Sequence, residues 1–317
     1  MRFYLVCLSV TLFYCSTGST QCISNDILAV NKLNENQLLT RLEVLSSDSF
    51  AGRKFASKEN IQVQQYLITQ LQAANISPFK GQYLHSFEHE QMFSTKQGAN
   101  IIGLIKGRLH PEKYIVLTAH YDHLGKKGSK FFPGADDNAS GVSSLLAFGE
   151  ALSLNPLNHS VILLFTDGEE VSLLGAKYFV KQQEQLLKDI KLNINIDMIA
   201  GSKKTKKLRY ISSPMAQLVN EQQQQCLAKL RKKSSVKIVK GFRSHRTNNS
   251  LDKRTNWRMA SDHGVFAKQD IPYIYFGIGT HKNYHSVSDS FENINVPFYL
   301  SAATSIYQQL RFIDLVI

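Results

Sequence analysis

Residues Val161–Ala176 read VILLFTDGEEVSLLGA, and the fold turns on how they are read. Val161 to Thr166 form an apolar run without polar alternation, as in a strand buried on both faces. Asp167, Glu169 and Glu170 follow within four positions of one another, and helical spacing begins after Leu173. A strand that passes through acids into a helix is one unit of an α/β sheet. Three carboxylates at a strand end repel one another unless something holds them there.

Working outward, the same unit recurs. NIIGLIKGR (100–108) and KYIVLTAH (113–120) are β-type runs separated by a short turn with Pro111, which predicts adjacent antiparallel strands. A helix is expected from about Ser140 to Leu152, strands at KLNINIDMIA (191–200) and IPYIYFGIG (271–279), and a closing helix over PFYLSAATSIYQQLRFIDLVI (297–317). Upstream, residues 36–74 carry apolar residues at helical spacing, interrupted near SDSFAGRKFASKEN, which reads as two helices joined by a Gly-containing loop. The expected architecture is α/β: a mixed, largely parallel central β-sheet flanked by helices on both faces. With no internal repeat and no low-complexity linker, a single domain is the economical reading.

Ligands of open α/β sheets bind beyond the carboxyl ends of the strands. Here those positions hold His120, Asp122 and His123 in AHYDHLG, Glu169 and Glu170 in TDGEE, and Asp197 in NIDMIA. PGADDNASG adds Asp136 and Asp137, and KNYHSVSD adds His285 and Asp289. Any one such residue reads best as a cap or turn residue. Converging on one rim they would require a cation. Imidazole and carboxylate without thiolate suit zinc, or less specifically manganese or cobalt, and the ligands are too many for one tetrahedral ion. Two metals about 3.5–4 Å apart, sharing a carboxylate, would use them all.

Taken in order, TAHYDHLG, PGADDNASG, DGEEVSLLGA, NIDMI, SDHGVF and YHSVSDS resemble the co-catalytic di-zinc aminopeptidases of metallopeptidase family twenty-eight, which also contains glutamate carboxypeptidase. The earlier LSSDSFAGRKFAS resembles the family's N-terminal region. The resemblance implies a zinc-dependent exopeptidase fold and two Zn2+ per chain, with Mn2+ or Co2+ as possible substitutes. It implies that His120 and Asp197 bind one zinc, Glu170 and His285 the other, and that Asp137 bridges them. Asp137 is chosen over Asp136 because the family's bridging aspartate stands four residues before the glycine of the Ser-Gly pair, here Gly141. Glu169 would be the general base, and Asp122 would hold the His120 ring by a hydrogen bond. Tyr284 resembles a hydroxyl donor to the oxyanion, with a core tyrosine as the alternative. Asp167 reads as structural, Ser261 or Asp262 as a helix cap, and His263 as a residue lining or supporting the site. His245 and His281 have no motif support.

The N-terminal stretch MRFYLVCLSVTLFYCSTGSTQC has a basic start, an apolar run shorter than the roughly 20 residues of a membrane span, and small residues near Gly18 to Thr20. It reads as a signal peptide over 1–20, leaving a catalytic domain over 21–317 and an exported chain without a transmembrane segment in its mature form. Lipid attachment at Cys15 fits poorly behind the bulky Tyr14. After cleavage only Cys22 and Cys226 remain, and their spacing leaves pairing open. Sequons at Asn138, Asn158 and Asn248 matter only in a eukaryotic secretory pathway.

The net charge of +12 is concentrated in GSKKTKKLR (201–209) and RKKSSVK (231–237), which read as solvated loops and helix ends, or as attraction to an anionic envelope or acidic peptides. No nucleic-acid module accompanies them. Neither GxSxG nor HExxH occurs, which removes the main support for a serine hydrolase or a zincin. The function read here is an exported zinc aminopeptidase acting on peptide substrates, monomeric by default. A carboxypeptidase or dipeptidase of the same family, a mono-zinc glutaminyl cyclase and a catalytically silent binding module stay as alternatives. The cyclase branch would be expected to lack part of the paired metal set, and all five ligand positions are filled.

Overall fold

The computed structural model describes residues 32–242 and 255–317. The expected signal peptide, Cys15, Cys22, His245 and Asn248 lie outside the described residues.

Two helices open the described chain: α1 (Glu35–Leu45), whose first turn is capped by the Asn34 side chain, and α2 (Lys58–Ala73), capped by Ser57. The strands that follow are β1 (Ser77–Pro78), β2 (Leu84–Gln91), β3 (Ser94–Ile105) and β4 (His110–His120), then the short β5 (Gly125–Lys127) and β6 (Lys130–Phe132). Helix α3 (Ser140–Leu154), strand β7 (His159–Thr166), helix α4 (Leu174–Gln182) and strand β8 (Ile190–Ile196) carry the α/β alternation. Next come β9 (Lys207–Ser212), α5 (Glu221–Lys233), β10 (Lys237–Lys240), α6 (His263–Ala267), β11 (Tyr273–Gly277) and α7 (Val296–Val316).

Among the described residues nine strands form one sheet in the order β1-β3-β7-β4-β8-β11-β9-β10, with β2 paired to β3. Its centre, β7-β4-β8-β11, is parallel. Alternate residues of these strands face two cores. Ile115, Leu117, Val161, Leu163, Phe165, Leu192 and Ile194 pack toward α1, α2, α3 and α7. Val116, Ile162 and Leu164 pack toward Phe179 of α4 and Phe266 of α6. Burial on both faces is why these strands read as continuous apolar runs.

β3 and β4 are consecutive but not neighbours, which corrects the expected antiparallel pair. β7 lies between them, antiparallel to β3 and parallel to β4. The connection is tied across the start of β7, where Arg108 N–H donates to Leu157 O and His110 N–H to Asn158 O. Ile115, Val116 and Leu117 are all fully buried, and only a central position covers both faces of such a run.

Candidate metal centre

Strand register sets the rim. His120, the last residue of β4, pairs with Thr166, the last of β7, and Asp197 follows the end of β8 directly. The turn after β7 carries Glu169 and Glu170, the loop before α3 carries Asp137, and the loop after β11 carries His285.

The five expected ligands converge in two groups that share Asp137. His120 Nε2 lies 3.4 Å from Asp137 Oδ1 and 3.4 Å from Asp197 Oδ1. His285 Nε2 lies 3.3 Å from Asp137 Oδ2 and 3.3 Å from Glu170 Oε2. Two ligand atoms each about 2.0–2.2 Å from a tetrahedral zinc stand roughly 3.3–3.6 Å apart, so the spacing fits an ion on either side of Asp137. His285 Nε2 is itself buried without a hydrogen-bond partner, as a nitrogen aimed at a cation would be. A Glu169 carboxylate oxygen lies within 4.8 Å of both a His120 nitrogen and an Asp197 oxygen.

Asp136, the neighbour of Asp137, turns away. Its Oδ1 accepts from the N–H groups of Ala200 and Gly201 at 2.7 and 2.8 Å, and its Oδ2 lies 2.8 Å from His281 Nε2. Asp289 accepts from the main-chain N–H groups of Asp136 and Asp137 at 2.9 and 3.0 Å, which fixes the loop that presents Asp137. Asp122 reaches the His120 ring through its own carbonyl, 3.1 Å from Nδ1, while its carboxylate stands 3.7 Å away. That carboxylate accepts from Glu169 N–H and Glu170 N–H at 3.0 and 3.3 Å and so holds the glutamate turn. Asp167 likewise accepts from Asn60 Nδ2 and Ala99 N–H and ties the turn to α2 and β3.

Asp262 stands at the N-cap position of α6, within the expected Ser261–Asp262 pair, but its side chain makes no capping hydrogen bond. No side chain caps that five-residue helix. Ser261 Oγ accepts from Asn195 Nδ2 at 2.8 Å, and Asp262 Oδ2 accepts from Thr166 Oγ1 at 2.5 Å, because both side chains point into the polar layer behind the rim. His263 supports this layer, stacked on Tyr275 at 4.4 Å with Nε2 on Trp257 O. Tyr284 stacks on His285 with centroids 3.8 Å apart and is 36% exposed, so it is not a core tyrosine.

Three residues gained a role from the structure alone. His281 buttresses Asp136. Arg53, fully buried, donates to the carbonyls of Leu45, Tyr121, Pro133 and Gly134 at 2.6–3.0 Å, clamping the loop ahead of Asp137; burial pulls its guanidinium down to about 10. His123 packs beside Glu170. The only sequence signal for Arg53 was its place in LSSDSFAGRKFAS, and for His123 its position at a strand end.

Burial pushes the Glu169 carboxyl well up, opposed by His120 and reinforced by Asp197, Asp262 and Glu170. Burial acts to raise Asp137 too, yet His123, His120 and His285 hold it well below the ordinary carboxylate range. Burial disfavours the charged His120 ring, but Glu169 and Asp197 raise it well above normal. The rim is therefore divided: despite burial, the neighbouring imidazoles hold Asp137 and Glu170 below the ordinary carboxylate range, whereas burial outweighs His120 and raises Glu169 and Asp197.

A family model described as Peptidase family M28 matches residues 100–308. Aminopeptidase YwaD of Bacillus subtilis is 34% identical over 113 residues, 35% of this chain and 24% of that protein. A probable leucine aminopeptidase of Arthroderma otae is 28% identical over 181 residues, 55% of this chain and 48% of that one. The chain thus aligns with about half or less of the length of these curated relatives. Among solved structures, BSAP, a zinc aminopeptidase from Bacillus subtilis, superposes with a TM-score of 0.67 at 14% identity, covering 88% of this chain and 94% of that one. A glutaminyl cyclase from an Acidobacteriales bacterium superposes with a TM-score of 0.70 at 18% identity, covering 90% and 96%. At such identities these neighbours establish the fold.

Proposed function

This chain belongs to peptidase family M28, and on that premise we propose that it is a two-zinc aminopeptidase that removes N-terminal residues from peptides. The observation that carries the reading is Asp137 standing between two imidazoles, 3.4 Å from His120 Nε2 and 3.3 Å from His285 Nε2, with Asp197 and Glu170 at 3.4 and 3.3 Å from those same nitrogens. The side chains also gather as His120, Glu169 and Asp197 and as His123, Asp137 and Glu170.

His120, Asp197 and Asp137 would hold one ion, and Glu170, His285 and Asp137 the other. Zinc in these positions supplies a Lewis acid that acidifies water and polarises the scissile carbonyl. Glu169 takes the proton of the attacking water on its carboxylate and delivers it to the leaving amine. The burial that raises Glu169 makes it a stronger proton acceptor than an exposed glutamate. Tyr284 would donate its hydroxyl to the developing oxyanion. Asp122 keeps Glu169 and Glu170 at their separate tasks by holding both backbone N–H groups. The curated relatives described as aminopeptidases support the aminopeptidase reading over a carboxypeptidase. Export after removal of residues 1–20 is part of the proposal. Among the described residues no helix is long and apolar enough to cross a membrane.

The test is zinc content and product analysis on the mature protein. The expected result is near two zinc ions per chain and release of N-terminal residues from aminoacyl anilides and peptides. Glu169→Gln should keep its zinc and lose hydrolysis. One ion per chain with ammonia released from glutaminyl peptides would replace this reading with a cyclase. Release of C-terminal residues would replace it with a carboxypeptidase.

A further inference from the structure

His123 has no assigned part in the proposed chemistry, yet it is buried and in contact with it. Its Nδ1 lies 2.9 Å from Glu170 Oε1 and 3.7 Å from Asp137 Oδ2. His285 instead faces the other Glu170 oxygen, Oε2. The two imidazoles therefore divide the carboxylate. The Oε1 contact is at hydrogen-bond length, shorter than the spacing of two ligands around one ion, whereas the Oε2 contact has that spacing.

The ring is held in place from several sides. His123 N–H donates to Arg53 O at 3.3 Å, and the residue forms an isolated bridge with Lys54. Its Cδ2 lies so close to Gly134 (φ +60°) that a Cβ there would come within 2.6 Å of it. The ring of His285 stands edge-on at 5.9 Å. His123 Nε2 is buried with no partner among the described residues, so the ring's polar contact to the site runs through Nδ1.

We propose that His123 is a positioning residue for the second metal: its Nδ1–H engages Glu170 Oε1, so that Glu170 offers the ion one oxygen and leaves a coordination position free for water. Without this bond both Glu170 oxygens could turn to the same ion and fill that position. The inference rests on the two-metal reading above. A hydrogen bond from a neighbouring group to a ligating carboxylate typically changes metal affinity by about 10–100-fold when removed.

The experiment compares wild type, His123→Ala and His123→Asn, since an asparagine amide can stand where Nδ1–H stood. Each apoprotein is titrated with Zn2+ by calorimetry and with Co2+ by visible absorption, and its fold is checked by circular dichroism. The expected result for His123→Ala is a first site unchanged, a second site weakened about 10–100-fold, and a Co2+ band of altered intensity at the second equivalent as coordination number changes. His123→Asn should recover most of the affinity and the wild-type band. A folded His123→Ala with wild-type second-site affinity and spectrum would overturn the inference. So would a His123→Asn as defective as the alanine variant, because that pattern marks His123 as a ligand. If wild type itself takes up fewer than two ions, the two-metal reading fails first. If either variant is unfolded, the surviving variant decides: native behaviour in alanine overturns the inference, and native behaviour in asparagine supports it.

Discussion

Both ends of the central sheet bury histidine against aspartate, and they do so differently. At the amino end of β7, Asp314 from α7 accepts Asn158 N–H, His159 N–H and His159 Nδ1 at 2.8–2.9 Å, while the rings of His110 and His159 stand 4.9 Å apart. That carboxylate is closed by protein donors at hydrogen-bond length. At the carboxyl end, Asp137, Asp197 and Glu170 face His120 and His285 at 3.3–3.4 Å, too far for good hydrogen bonds and well spaced for an ion between. The same residue types thus build a structural pair or a ligand set, depending on whether backbone donors reach the acid. Asp136 and Asp137 repeat the contrast one residue apart, the first closed by Ala200, Gly201 and His281, the second left to the rim.

The contrast breaks if the rim proves structural or the basal pair catalytic. Glu169→Gln carries the largest expected effect, a fall in kcat of about 10^2–10^4 with zinc content unchanged, while Asp314→Asn leaves kcat at the wild-type value. Steady-state kinetics on an aminoacyl anilide checks both.

Next is metal-linked stability. An ion held at 100–1,000 times its dissociation constant adds about 3–4 kcal/mol, which a chelator removes. Asp137→Asn should abolish the chelator-dependent drop in Tm. Asp136→Asn should keep the drop but start from a baseline lower by about 1–3 kcal/mol, since it weakens buried bonds rather than ligation. Differential scanning calorimetry with and without chelator separates the two.

Asp314→Asn is expected to cost about 1–3 kcal/mol in urea unfolding, with no chelator dependence. An effect on zinc content instead would dissolve the distinction between the two ends.

The last prediction concerns pH. Burial pushes Asp262 up to about 7, opposed by His120 and Thr166, and its Oδ1 has no partner. Between about pH 4 and 7 the folded chain holds a proton there that the unfolded chain has released, so this group's stabilisation is full at low pH and lost as pH rises. His263, lowered to about 4 by burial, acts in the opposite sense, its contribution present above about pH 6.5 and lost as pH falls. In chelator, Asp262→Asn should therefore flatten the decline of the urea midpoint from pH 4 to 7, because asparagine mimics the protonated acid.

Much of the rim was legible because strand ends are local. Apolar runs ending in His120, Glu169–Glu170 and Asp197 announced both the strands and the side they present, and the gathering of several such ends made a cation necessary. Strand order was not legible in this way. The turn between β3 and β4 looked like a hairpin, and only the demand to cover both faces of β4 drew β7 between them. β2, β9 and β10 lie toward the sheet's margins and carry half-exposed, polar residues whose pattern is weak. His123 and His281 act through neighbours 47 and 145 residues away, and Arg53 through Leu45 and three carbonyls 68–81 residues away, separations at which, Leu45 apart, spacing along the chain carries no signal.

The sequence by itself determined the α/β alternation, the polar rim and the choice of residues able to hold metal, because each depends on local periodicity and on side-chain chemistry. Tertiary structure decided which acids are closed by backbone donors and which stay open, which strand stands between which, and that His123 faces one oxygen of Glu170 while His285 faces the other. Those outcomes depend on distances between groups remote in the chain, and only packing sets them.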